Sequence, residues 1–161
     1  MLFLRPASIN DIERISEIET LCFPQSEAAD LDAFKQRFAV FPECFIVIEV
    51  DGKVVGHING CINNKLEITD ALFENASLHQ PDGMYQTIFG LAVDPKFQHQ
   101  GYASRLIQAF IQQSKERGLR GIVLTCKEHL VNYYERHGFK LEGQSNSTHG
   151  GSLWFDMTLI F

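Results

Sequence analysis

The sequence predicts a mixed α/β fold: about seven strands in a mostly antiparallel sheet, flanked by about four helices. Three features carry this reading. Apolar residues switch between strand and helix periodicity in the order β-α-α-β-β-β-α-β-α-β-β. Asp51-Gly52 stands between two apolar runs and marks a hairpin. The stretch LAVDPKFQHQGYASRLIQAF (91–110) joins a strand to an amphipathic helix, and the apolar run GIVLTC (121–126) follows. Residues 84–93, 101–117 and 121–126 therefore read as a right-handed βαβ unit at the centre of the sheet.

Each element follows from its residues. Leu2 to Arg5 is a short apolar edge strand. Ser8 to Asp11 offers N-caps, and Ile12, Ile15, Ile18 and Leu21 recur at helical spacing, so a helix fits 9–20. Pro24 restricts Phe23 to extended geometry and breaks that helix. A second helix covers 27–40, with Leu31, Phe34 and Phe38 as its stripe, and Pro42 bars continuation. CFIVIEV (44–50) and KVVGHINGCI (53–62) are the hairpin strands. Residues 63–83 are polar and irregular, with a helical turn near 68–74. MYQTIFGLAV (84–93) is one strand with Gly90 inside it, which marks a bulge or a close backbone approach. Helix 101–117 buries Leu106, Ile107, Phe110 and Ile111 and ends at Gly118. A short helix over 128–137 ends at Gly138, and strands near 139–142 and 152–160 complete the chain.

Composition narrows the function classes. With 161 residues, 45% apolar and 21% charged, the chain fits one globular domain spanning 1–161. No apolar run approaches the roughly 20 residues of a membrane helix, and MLFLRPAS is too short for a secretory signal. The net charge of −6 argues against nucleic acid as a partner. It suits a cationic substrate, and equally a charge that only keeps the protein dissolved. Cys22, Cys44, Cys61 and Cys126 form no C-x-x-C pair and read as reduced thiols of a cytoplasmic protein. The six histidines form no ligand cluster, so no metal is expected.

The loop Gln98-His99-Gln100-Gly101-Tyr102-Ala103-Ser104 sits at the mouth of the central helix. The first amides of a helix lack intrahelical partners and carry partial positive charge, which makes an anion site best suited to phosphate. Gly101 allows a positive φ or a close ligand. Neither G-x-x-x-x-G-K-[ST] nor G-x-G-x-x-G is present. Pattern alone leaves a phosphate cradle and an ordinary strand-to-helix turn as alternatives.

Gln98-x-x-Gly101-x-Ala103 resembles the acetyl-CoA loop [RQ]-x-x-G-x-[GA] of the GNAT N-acetyltransferases. LVNYYERHGFKLEG (130–143) resembles that family's second signature, and ECFIVIEVDGKVVGHING (43–60) its central hairpin. CFPQSEAA (22–29), SLHQPDG (77–83), VLTCKEHLVNYYERHGF (123–139) and GSLWFDM (151–157) are similar to the arylalkylamine (serotonin) N-acetyltransferase group. The resemblance covers nearly the whole chain. It implies the GNAT fold, with the sheet splayed at the central βαβ unit, and acetyl-CoA as co-substrate.

The resemblance also implies roles. Backbone groups of Leu91, Ala92 and Val93 would hold the pantetheine arm, and the amides of Gln98, His99, Gln100, Gly101, Tyr102, Ala103 and Ser104 the pyrophosphate. Such a main-chain cradle needs no lysine, and Arg105 reads as an exposed helix residue. Direct attack by an amine on the thioester needs a base, an oxyanion donor and an acid for the leaving thiolate. Tyr134 matches the family's general acid, with Tyr133 beside it as a natural control. The H-x-H histidines of the vertebrate enzymes are replaced here by Thr87 and Phe89. His79 and Glu27 are the substitute candidates for the base, and Glu27 is alternatively an anchor for the ammonium group. A chain of water could also carry the proton. Phe23, Pro24 and Phe89 are assigned to the amine pocket, and Phe41, Phe73 and Trp154 could extend its wall. The expected partners are acetyl-CoA and a small amine, with the protein a monomer or homodimer. A polyamine, an aminoglycoside or a protein N-terminus as acceptor, or a CoA-binding module with little catalysis, are the competing readings.

Overall fold

The strand Phe45–Val50 (β2) lies near the centre of the fold because both its faces are apolar. Phe45 and Val47 point to one side, Ile46 and Ile48 to the other, and all four are buried. The computed structural model of the chain describes residues 1–161. β2 pairs antiparallel with Leu2–Pro6 (β1) on one edge and with Lys53–Asn59 (β3) through the Asp51-Gly52 turn on the other. Both turn residues have positive φ, at 51° and 81°, as a two-residue hairpin demands.

Helices cover the two faces. Ile12–Cys22 (α1) buries Ile12, Ile15 and Ile18 against β3, with a 3-10 turn over Ile9–Asp11 ahead of it. Leu21, expected on the buried stripe, is 53% exposed, because the stripe passes instead through Glu19 and Cys22. Leu31–Val40 (α2) starts four residues later than the sequence predicts, since Asp30 caps it by accepting from the Ala33 amide at 2.8 Å. Tyr102–Glu116 (α4) covers the opposite face through Leu106, Ile107, Phe110 and Ile111. Asp70–Glu74 (α3) is the helical turn expected near 68–74, capped by Thr69. Val131–Glu135 (α5) is shorter than the predicted 128–137 because its first turn, Glu128–Leu130, is 3-10.

The expected strand 84–93 is two strands in two sheets. Tyr85–Ile88 (β5) runs parallel to Gly121–Cys126 (β7), from Tyr85 opposite Gly121 to Ile88 opposite Leu124. Phe89 interrupts it, and Gly90–Val93 (β6) crosses to pair antiparallel with β3, Gly90 opposite Asn59 and Val93 opposite Gly56. The strand expected over 53–62 likewise splits, its end becoming Ile62–Asn63 (β4) beside β5. Nine strands result where seven are expected, in the orders β1-β2-β3-β6 and β4-β5-β7-β9-β8. The last two are Lys140–Gln144 (β8) and Phe155–Ile160 (β9); β9 lies between β7 and β8 and is antiparallel to both.

The split shapes the molecule. The C-terminal end of β7, Thr125 and Cys126, keeps only β9 as a partner, while β6 has turned away. A wedge opens between β6 and β7, with the N-terminus of α4 at one end and the α1–α2 connection at the other. No helix is long and apolar enough to cross a membrane.

Candidate active site

A cleft of about 680 Å³ fills that wedge. It brings together Phe23, Pro24, Glu27, Phe89, Leu91, Ala92, Val93, Gln98, His99, Gly101, Tyr102, Ala103, Ser104 and Tyr134. Of the candidate site residues read from the sequence, Gln100, His79 and Phe41 are outside it.

The backbone of β6 determines what the wedge offers. Asp94 donates to the Val55 carbonyl at 2.8 Å. The antiparallel alternation then directs the N–H and C=O groups of Gly90 and Ala92 toward Asn59 and His57 on β3. Leu91 and Val93 therefore turn their backbone groups to the cleft, and those of Ala92 do not. The Val93 carbonyl is already engaged, accepting from Gln98 Nε2 at 2.9 Å and from Cys22 Sγ at 3.1 Å. The Leu91 amide and carbonyl and the Val93 amide are left as an unpaired strand edge, a site for an extended polar chain.

At one end of the cleft, α4 begins on Gly101 in left-handed geometry, φ 82°, with no side chain capping the helix. A β-carbon built there meets nothing within 4 Å. Glycine is thus favoured by the backbone angle, and the space beside it is open to a ligand. His99 also has a positive φ, 64°, a conformation that costs a non-glycine residue strain. The first-turn amides of this 15-residue helix face the cleft without a protein acceptor. Gln100 is exposed, its side chain accepting from Tyr102 at 3.2 Å.

Tyr134 is 7% exposed and sits in the wall of the wedge, on α5. The helix is pinned beside α4 by His137, whose Nε2 is 3.2 Å from Ser104 Oγ and whose Nδ1 is 2.8 Å from Gln108 Nε2. Burial first, then the nearby Cys126 and Tyr133, push the Tyr134 phenol above its ordinary value. It therefore stays protonated throughout the physiological range. Tyr133 has its hydroxyl engaged by Ser104 at 3.2 Å, whereas no protein group bonds that of Tyr134.

The end beside the α1–α2 connection is aromatic and holds a buried carboxylate. Phe73, Phe89, His149 and Trp154 surround it, with Phe73 5.5 Å from Phe89 and 4.5 Å from His149. Glu27 is buried here. Its Oε2 accepts from Lys127 Nζ at 2.9 Å and Ser152 Oγ at 2.8 Å, and its carbonyl oxygen lies 2.8 Å from His149 Nε2. Burial alone would raise the Glu27 carboxyl, but the bonds from Lys127 and Ser152 outweigh it and hold the group below the usual range. A carboxylate so held is a poor base and a durable negative charge. Lys127, His149 and Ser152 went unnoticed in the sequence because no motif links them to Glu27, 100 to 125 residues away.

Two expectations are corrected here. His79 is packed away from the cleft: its Nδ1 accepts from the Ile62 amide at 3.0 Å and its ring lies 5.0 Å from Phe41. Burial lowers its pKa. Its role is to tie β4 to the loop before β5. Phe41, expected as a pocket wall, is fully buried between Phe45 and His79 and belongs to the core. Thr87 also faces inward, donating to the Cys61 carbonyl at 3.0 Å. No group of three or more metal-ligating side chains is gathered anywhere in the chain.

Known proteins share the sequence pattern and the fold. The family model described as "Acetyltransferase (GNAT) family" matches residues 12–139. The chain is 28% identical over 128 residues to serotonin N-acetyltransferase of Mesocricetus auratus, covering 79% of this chain and 60% of that protein. It is 30% identical over 132 residues to an uncharacterized N-acetyltransferase, YjhQ, of Escherichia coli, covering 81% and 65%. The chain thus spans less than two thirds of the length of both relatives. Among solved structures, the loading GNATL domain of CurA from Lyngbya majuscula superposes with a TM-score of 0.82 at 18% identity, over 99% of this chain and 98% of that one. The sheet that parts at a bulge, the uncapped helix beside the gap and the family match over both lead to one conclusion: this chain belongs to the GNAT acetyltransferase family.

Proposed function

We propose that the protein transfers an acetyl group from acetyl-CoA to the nitrogen of a small arylalkylamine, by direct attack within a ternary complex. The observation that carries this reading is the continuity of one cleft. It runs from the open amides of α4, along the free edge of β6 and past Tyr134, to an aromatic chamber holding Glu27.

The residues fit acetyl-CoA. The α4 amides of Gly101 to Ser104, with Gln98 and His99 alongside, suit a pyrophosphate without any lysine. Leu91 and Val93 suit the amide-bearing pantetheine arm as an added strand. Bound there, acetyl-CoA supplies an activated acyl thioester. Tyr134 holds a proton at Oη for the departing sulfur, and the Leu91 amide is the donor for the developing oxyanion. Phe23, Phe73, Phe89 and Trp154 provide apolar surface for an aryl group. Glu27, held ionised, adds the charge opposite to an ammonium.

The charge pattern favours an amine with one cationic centre over a polyamine. Glu27 is shared with Lys127, and Asp70 is committed to Ser147 and the Thr148 amide, so neither adds a second free anionic site. The four free thiols, three of them buried, suit a reducing compartment such as the cytoplasm. The test is product analysis: acetyl-CoA and phenethylamine or tryptamine, incubated with the protein, should yield the N-acetyl amine by mass spectrometry. Thermal stabilisation by CoA with no acetylated product from any amine would instead identify a binding module.

A further inference from the structure

We propose that Glu19 takes the proton from the acceptor amine and that His57, behind it, shares that proton until product leaves. The inference rests on the acetyl-transfer reading and supplies the base that Glu27 and His79 do not.

Glu19 lies in the last turn of α1 and lines the cleft, with its side chain 5% exposed. Its Oε2 accepts from the Ala29 amide at 3.0 Å, which fixes the carboxylate. Its Oε1 is buried and has no hydrogen-bond partner. His57 is fully buried on β3, opposite Ala92, and its Nε2 is also without a partner, 3.5 Å from Glu19 Oε1. Direct charge-assisted hydrogen bonds run about 2.7–2.9 Å, so the two atoms face each other without closing a tight pair. Buried polar atoms are nearly always satisfied, and two orphans aimed at one point mark a place that something else completes.

That point is the bulge. A β-carbon built on Gly90 would stand 3.5 Å from Glu19 Oε1 and 3.7 Å from His57 Cε1. Because residue 90 carries no side chain, the carboxylate is reached from the stretch of cleft where β6 leaves β7. This is the point between the free edge at Leu91 and the chamber at Phe89. The other titratable groups facing Glu19 are Arg37 from α2 and Cys22 from α1 itself. Arg37 is held off by Asn59, whose Oδ1 accepts from it at 3.2 Å. It therefore sets the local charge without occupying Oε1.

The protons balance. An ammonium nitrogen loses two protons as the C–N bond forms and the C–S bond breaks. Glu19 Oε1 accepts the first, giving the free amine, and passes it to His57 Nε2. Tyr134 gives its proton to the departing sulfur and recovers the second proton from the nitrogen. The proton held by the Glu19–His57 pair goes to water as product leaves, so the thiol and the amide are formed with one proton released.

The test compares an arylalkylamine that is protonated at pH 7 with one that is already neutral there, such as trifluoroethylamine. Glu19→Gln preserves the acceptor for the Ala29 amide. It should lower kcat/KM for the protonated amine by about 10²- to 10⁴-fold and for the neutral amine by less than about tenfold. The loss should shrink as pH rises, and acetyl-CoA affinity should be unchanged. His57→Gln should give a smaller loss of the same selectivity. Should Glu19→Gln fail to fold, Gly90→Ala covers Oε1 at ordinary contact distance and should show the same amine-selective loss. Equal losses with both amines, or an unchanged pH profile, overturn the proposal while leaving acetyl transfer standing. Failure of the unaltered protein to acetylate any amine overturns both.

Discussion

Lys127 Nζ donates to Glu27 Oε2 at 2.9 Å, joining the end of β7 to the α1–α2 connection across the aromatic end of the cleft. The bond links two segments 100 residues apart and keeps a buried carboxylate ionised in front of an aromatic chamber. Lys127→Met should leave Glu27 buried with only Ser152 to hold it, costing about 1–3 kcal/mol by chemical denaturation at pH 7.

The same pair predicts a pH dependence. The Glu27 carboxyl lies below its ordinary value of 4.5 in the folded protein. Its contribution to stability is therefore complete above about pH 4.5 and is lost as pH falls through the lower folded value. The stability difference between the unaltered protein and Glu27→Gln should be constant from pH 6 to 8 and shrink below pH 4.5. Glu27→Gln should also raise KM for a cationic amine while leaving KM for acetyl-CoA in place.

Tyr134 and Tyr133 are adjacent in sequence but differ in surroundings: Ser104 engages the Tyr133 hydroxyl and no protein group bonds that of Tyr134. Tyr134→Phe should lower kcat by about 10²- to 10⁴-fold, whereas Tyr133→Phe should change it only a few-fold. Because burial holds the Tyr134 phenol high, its deprotonation should impose no alkaline fall in kcat below about pH 10. Equal losses in the two variants would remove Tyr134 from the acid role.

Gly101 has room for a side chain but the wrong backbone angle for one. Gly101→Val should cost about 1–2 kcal/mol of stability from the left-handed geometry. It should also raise KM for acetyl-CoA by blocking the helix mouth, with little change in KM for the amine. Titration calorimetry with CoA separates the two effects.

Much of this architecture is legible in the sequence. The helical spacing of Ile12, Ile15 and Ile18, the Asp51-Gly52 turn and the strand-loop-helix run around Gly101 all encode their structures locally. Gly90 announces a bulge. Nothing local says that residues 85–88 and 90–93 join different sheets, because that depends on partners at 121–124 and 56–59. The site divides the same way. The Gly101 loop and Tyr134 lie in recognisable patterns. Glu19 lies within an apolar helical stripe and His57 within an apolar strand, so their shared opening at Gly90 exists only once α1, β3 and β6 are packed. His79 fails as a base for the converse reason: a histidine in a polar loop looked free, and folding buried it beside Phe41.

Direct acetyl transfer from acetyl-CoA to an arylalkylamine is the proposed reaction. It is tested most directly by initial rates of thiol release, with acetyl-CoA and tryptamine varied together. The proposed reaction gives saturation in both substrates, intersecting double-reciprocal lines and faster turnover than with spermidine or a peptide N-terminus. CoA binding without thiol release on any amine, or parallel lines signalling an acetylated enzyme, would contradict it.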